Sequence, residues 1–116
     1  MAVDLGRTRR LQPSHYALKN DFSGSFNTLR NWELQGCEDS GAAVKGPWVT
    51  LSCHNDDESL IKAPYAVAAW PLTAISCQTA YRTFRLRQIG PNAYGGNELH
   101  CGGIELYGGL IDATEW

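Results

Sequence analysis

Short segments in which apolar and polar residues alternate recur along this chain, and they leave little room for any architecture but an all-β one. The clearest pair lies in the C-terminal third. Tyr81-Arg82-Thr83-Phe84-Arg85-Leu86-Arg87-Gln88-Ile89 runs through a turn cluster into Leu99-His100-Cys101-Gly102-Gly103-Ile104-Glu105-Leu106-Tyr107-Gly108. Alternation places successive side chains on opposite faces, so each stretch reads as a strand with one buried and one wet face. Phe84, Leu86, Ile104 and Leu106 then point to the core, while Arg85, Arg87, Glu105 and Tyr107 point outward.

Five more segments carry the same signal, at residues 2–5, 14–19, 31–38, 48–53 and 67–72. Arg7, Arg9 and Arg10 read as a basic loop after the first, and Pro47 suits the start of the fourth. Trp32, Trp48 and Trp70 each sit within an apolar pattern and are expected to anchor the core. One short helical pattern stands at residues 56–61, and the amphipathic helices that a wound α/β fold needs between its strands are lacking. Seven strands divided by loops predict an antiparallel β-sandwich or jelly roll.

At 116 residues the chain is one domain, expected to span residues 1–109 with a tail at 110–116. A net charge of −2 argues against a nucleic-acid binder, whose affinity rests on neutralising phosphates. No apolar run approaches the roughly 20 residues that span a bilayer. Asp4 interrupts a leading stretch too short for a secretory signal, so an intracellular, cytoplasmic protein is expected. Cys37, Cys53, Cys77 and Cys101 lack the close pairing of zinc or redox sites and read as free thiols. Cys53 shares a strand face with Val49 and Leu51 in that reading.

No catalytic constellation, cofactor motif or metal set stands out. Cys53 and His54 are neighbours on a strand and point to opposite faces, which rules against a nucleophile–base pair. The run His54-Asn55-Asp56-Asp57-Glu58 has carboxylates but not the spacing of a calcium loop, and Asp56 or Asp57 fits better as a cap on one helical turn. A row of Tyr81, Thr83, Arg85 and Arg87 on one strand face joins the residue types favoured at interfaces, with a cross-strand pair to Glu105 as the plain alternative.

Several motifs follow one another in a recognisable order: Arg30-Asn31-Trp32-Glu33-Leu34-Gln35-Gly36, Trp48-Val49-Thr50-Leu51, the His54 run through Ser59-Leu60, Ala69-Trp70-Pro71-Leu72, Tyr81 to Arg85, Gly90-Pro91-Asn92, and Gly103 to Gly108. Together they resemble the discoidin-like (coagulation factor 5/8 C-type, galactose-binding-like) jelly roll, in the intracellular versions found in a HECT-type ubiquitin ligase and BTB-domain proteins.

The resemblance implies a non-catalytic recognition or scaffold module that binds a protein partner, as part of a ubiquitin-ligase or adaptor chain. The alternative it leaves open is a carbohydrate-binding, lectin-like module. It places binding on loops at one end, at residues 21–27, 54–59 and 90–97, the last with Asn92, Tyr94 and Asn97. The candidate binding residues are therefore His54, Asp56, Asp57, Arg85, Arg87, Asn92, Tyr94 and Asn97. Two departures from the pattern are the insert at residues 41–46 and the lack of strands ahead of Val3-Asp4-Leu5-Gly6. The second implies a bare sheet edge open to pairing.

Overall fold

A computed structural model describes residues 1–22, 28–38, 47–97, 99 and 101–112. Seven strands account for about half of these residues: β1 (Ala2–Asp4), β2 (Arg9–Lys19), β3 (Trp32–Cys37), β4 (Val49–His54), β5 (Val67–Pro71), β6 (Thr83–Gln88) and β7 (Gly103–Asp112). A single 3-10 turn, Ile75–Gln78, precedes β6. The strands form two antiparallel sheets, one in the order β1-β6-β3-β4 and the other β5-β2-β7, an arrangement compatible with a β-sandwich.

Alternation assigns the inner faces as expected. Leu34, Phe84 and Leu86 come from one sheet, and Tyr16 and Leu18 from the other, all within one core around the fully buried Trp32. Ile104 and Leu106 pack against that core from β7 and remain half-buried.

Several expectations are corrected where the backbone departs from even pleating. β2 begins at Arg9, so Arg9 and Arg10 are strand residues rather than a loop. Pro13 lies within it, at a register shift and beyond His15–Lys19, the stretch also paired by β5. A proline is tolerated where only one neighbour needs a ladder. Opposite it stands Gly108, where a Cβ would lie 2.0 Å from the carbonyl oxygen of Gln12. β7 runs on through residues 110–112 and pairs with the start of β2, Arg9 against Asp112.

A bulge in β4 sets Leu34 opposite Ser52 and Gln35 opposite Thr50. Leu51 is the extra residue, so the alternation resets there: Leu51 is buried and Cys53 is exposed on the other face. The four cysteines are free thiols, with Cys37 and Cys77 buried.

Tyr81 is not part of an outward row. The chain bends at Arg82, Tyr81 bridges to Leu11, and its ring enters the core over Gly36, where a Cβ would lie 2.8 Å away. Thr83 is also fully buried, which leaves Arg85 and Arg87 as the accessible part of the row. Their cross-strand neighbours are Gln35 and Glu33, because Glu105 belongs to the other sheet. Trp48 is half-buried outside the core, with the Arg85 guanidinium 4.1 Å from its ring centroid. No helix forms at residues 56–61; the Asp57 carboxylate accepts the Ser59 amide in a tight turn instead.

Candidate functional site

Two of the three loops expected at a binding end are joined by Asn31, which sits just before β3 and is buried. Its Nδ2 donates to the carbonyl of Pro91 at 2.9 Å and to Asp56 Oδ1 at 3.3 Å, and its Oδ1 accepts the Asp56 amide at 2.9 Å. Backbone bonds complete the clamp, from Asp57 N to Arg30 O and from Ala93 N to Thr28 O. An amide side chain suits this position because it both donates and accepts. The third loop lies mostly outside the described residues, as do the insert at 41–46 and His100.

Asn92 is buried and frames the loop at 90–97 from within. Its Oδ1 accepts the amides of Tyr94 and Gly96, both at 3.0 Å. Tyr94, 73% exposed, and Asn97 stand on the outer surface of this loop. Between the two loops lies an open groove of about 380 Å³. Arg30, Asp56, Glu58 and Lys62 give it two cations and two anions, and Pro91, Asn92 and Ala93 form the remaining wall. Arg30 is fixed in place, donating from Nη1 to the carbonyls of Leu60 at 2.7 Å and Leu29 at 3.2 Å. Asp56 occupies the left-handed backbone region, with φ of 49°. That conformation is uncommon outside glycine, asparagine and aspartate.

His54 and Asp57 lie beneath this loop rather than on it. His54 is only 8% exposed and stacks on Trp32, ring centroids 4.2 Å apart and 11° between planes. Its Nδ1 lies 2.7 Å from Asp57 Oδ2, while Tyr16 OH and Ser52 Oγ each approach Nε2 to 2.6 Å. Trp32 Nε1 donates to the Tyr16 hydroxyl at 3.0 Å. Burial pushes the Asp57 carboxyl up, but hydrogen bonds from the Ser59 hydroxyl and amide, and the neighbouring His54, outweigh it and hold it below the usual value. With that carboxylate ionised, Nδ1 carries the proton and donates to it.

Ser52, His54 and Asp57 thus stand in the order of a hydrolytic relay, with Asp57 orienting the imidazole. The arrangement works against nucleophile activation. In the neutral ring one Nε2 lone pair faces two hydroxyls, and the Tyr16 hydroxyl is held protonated, pushed by burial up to about 12. Trp70 closes the edge, its ring centroid 5.2 Å from that of His54. The cluster ties core to loop. Sequence reasoning paired His54 with Cys53 and passed over Ser52, although a Ser-x-His spacing on one strand places both side chains on one face.

The candidate residues therefore divide three ways. Asp56 and Asn92 line the groove, with Tyr94 and Asn97 on its adjoining loop; His54 and Asp57 brace it from below. Arg85 and Arg87 lie on the outer face of the four-stranded sheet, Arg85 donating to Gln35 Oε1 at 2.6 Å. Among the described residues no group of His, Cys, Asp and Glu could hold a metal ion. Glu58 was noted only as part of the acidic run, and Arg30 and Lys62 were not foreseen, because only the folded chain brings them to the same groove.

No protein-family model matches the chain. It is 35% identical over 116 residues to the E3 ubiquitin-protein ligase Ufd4 of Drosophila melanogaster, covering 98% of this chain and 4% of that protein. It is 34% identical over 113 residues to the E3 ubiquitin-protein ligase hecd-1 of Caenorhabditis elegans, covering 97% of this chain and 4% of that protein. A BTB/POZ domain-containing protein of Arabidopsis thaliana is 36% identical over 91 residues, 78% of this chain and 10% of that protein. The chain thus spans a small part of each relative it matches. No helix among the described residues is long and apolar enough to cross a membrane.

Proposed function

We propose that this unit is a non-catalytic recognition module of the discoidin-like, galactose-binding-like jelly-roll kind. It works in the cytoplasm as part of a ubiquitin-ligase or adaptor chain and binds a segment of a protein partner. The observation that carries this reading is the groove between the loops at 54–62 and 90–93, where four charged side chains of both signs surround a floor braced by Asn31. Rigid strands that present such loops are a common basis for recognition. Charge of both signs suits a polypeptide bearing acidic and basic groups, and it gives specificity through complementarity. Likeness to ubiquitin ligases along nearly the whole of this chain, but a small fraction of theirs, agrees with a module carried within larger proteins.

A peptide-display selection against the 116-residue chain, run beside a glycan array, tests the reading. Peptides of mixed charge are expected to be selected, and their binding to fall about tenfold or more in Arg30→Glu and Glu58→Lys, as bringing like charges together across an interface does. Binding of glycans alone, or peptide binding indifferent to both substitutions, would defeat it.

A further inference from the structure

Arg85 and Arg87 stand two residues apart on one face of β6, and neither lines the loop groove. Arg85 is half-buried and held from two directions. Its guanidinium lies over the Trp48 ring, 4.1 Å from the centroid, and its Nε donates to Gln35 Oε1 at 2.6 Å. Gln35 is itself only 6% exposed and is anchored in turn, its Nε2 donating to Glu33 Oε2 at 3.4 Å. One of the five N–H donors of Arg85 is thereby used. The two Nη groups, the fork that takes a carboxylate, have no hydrogen-bond partner among the described residues. Arg87 is exposed beside them.

A carboxylate of the same molecule would ordinarily complete such a pair, and the two nearest by strand register are engaged elsewhere. Glu33 stands across from Arg87, yet its Oε2 accepts the Thr50 hydroxyl at 2.7 Å as well as the Gln35 amide. Asp4 accepts from Arg82 Nε at 2.8 Å and Nη2 at 3.3 Å, and its Oδ1 also accepts the Gly6 amide. Among the described residues neither Arg85 nor Arg87 forms an ion pair, while Arg9 and Arg82 each form one. On the β1 side Arg85 adjoins Ala2, whose methyl group leaves the guanidinium edge accessible.

These features specify a ligand. Two cations with no internal counter-charge call for two anions by complementarity. Alternate side chains of a strand lie about 7 Å apart, which is also their spacing in a second extended chain laid over this face. The stack on Trp48 and the bond to Gln35 order the Arg85 side chain before any ligand arrives, which lowers the cost of binding. Arginine and tryptophan are also the residue types that most often dominate interfaces.

We propose that Arg85, Arg87 and Trp48 form a second recognition surface, which binds an extended acidic segment of a protein partner through carboxylates at alternate positions. One carboxylate takes the Nη fork of Arg85 and the next takes Arg87. The surface is separate from the loop groove and does not depend on what that groove binds.

An NMR titration of the 116-residue chain with a short peptide bearing glutamates at alternate positions, beside its glutamine counterpart, is the test. The Arg85 Nε–H and Trp48 indole N–H signals of the unmodified chain are expected to shift with the glutamate peptide and to stay in place with the other. Added salt should weaken the binding, because partly exposed charges are screened. Affinity is expected to fall about tenfold in Arg85→Gln and in Arg87→Gln. Arg85→Lys should restore little of it, since an ammonium neither stacks as a plane nor offers a fork. Signals that stay still, equal shifts from both peptides, or full binding by Arg85→Lys would overturn the inference. So would shifts confined to Arg30 and Lys62, which would give the acidic peptide to the loop groove. Tighter binding of a glutamate-free phosphoserine peptide would overturn it too, by making phosphate the ligand.

Discussion

The two flanks of this molecule close in opposite ways. On one side the edge strands β4 and β5 meet through rings: His54 stacks on Trp32, Trp70 stands edge-on to both, and Tyr16 lies 5.1 Å from Trp70 by centroids. Each polar atom of His54 has a partner there. On the other side β1 and β7 line an apolar groove whose Leu110 is half in water. A small body needs large, well-packed groups to seal the gap between two sheets, and the Tyr16, Trp32, His54 and Trp70 cluster does so at the β4–β5 gap, whereas Tyr107 in the β1–β7 groove is 49% exposed. Stability should therefore be concentrated at the β4–β5 flank.

The largest effect should come from Trp32→Ala. Removing a fully buried indole that also holds the Tyr16 hydroxyl is expected to cost about 3–5 kcal/mol in urea unfolding. A loss below about 1 kcal/mol would show that the ring cluster is not the structural seal.

Alkaline pH probes the same flank without a cavity. Burial raises Tyr16 from 10.0 to about 12, so the folded state keeps a proton that the unfolded state gives up. Its contribution is complete below pH 10 and fades as pH rises through the folded value, by about 2–3 kcal/mol in all. Comparing unfolding of the wild type and Tyr16→Phe across this window isolates the effect, and parallel curves would exclude it.

Asp57→Asn should be milder, about 1–2 kcal/mol at neutral pH, because one hydrogen-bonded partner of His54 is weakened. The Asp57 carboxyl is lowered from 3.8 in the fold, so its contribution is present above that value and lost as pH falls through the lower folded one. The substitution should flatten the acid limb of a stability–pH curve. An unchanged acid limb would mean that the contacts of Asp57 with Ser59 and His54 do not hold its carboxylate ionised in solution.

Leu110→Lys should change the stability of the monomer by no more than about 0.5 kcal/mol, as exposed positions usually do. Measured at dilution by thermal melting, a large loss would mean that the β1–β7 flank belongs to the core after all.

Much of the strand content could be read from the chain, because a period of two is a local property. The inner positions Leu34, Phe84 and Leu86 followed from it directly. The pattern failed where one backbone event reset it. The bulge at Leu51 turned Cys53 outward, and the bend at Arg82 turned Tyr81 inward. Trp48 misled for a different reason: an indole is amphipathic enough to serve on a wet face when a guanidinium covers it. At the site, His54, Asp56 and Asn92 were conspicuous by residue type. Their roles were not, since burial turned Asn92 into a frame and His54 into a brace.

Sequence alone determined that the chain is all-β and where most of its apolar rows lie. These follow from side-chain chemistry repeated at short range. Only the tertiary structure decided which loops share an end, since Asn31 reaches Asp56 and Pro91 across gaps of 25 and 60 residues. It also decided which edges stay bare, because strand order is set by contacts between distant segments and no local pattern encodes it. The C-terminal strand carries both lessons: its alternation announced its inner face, and the sheet order left one of its edges without a neighbouring strand among the described residues.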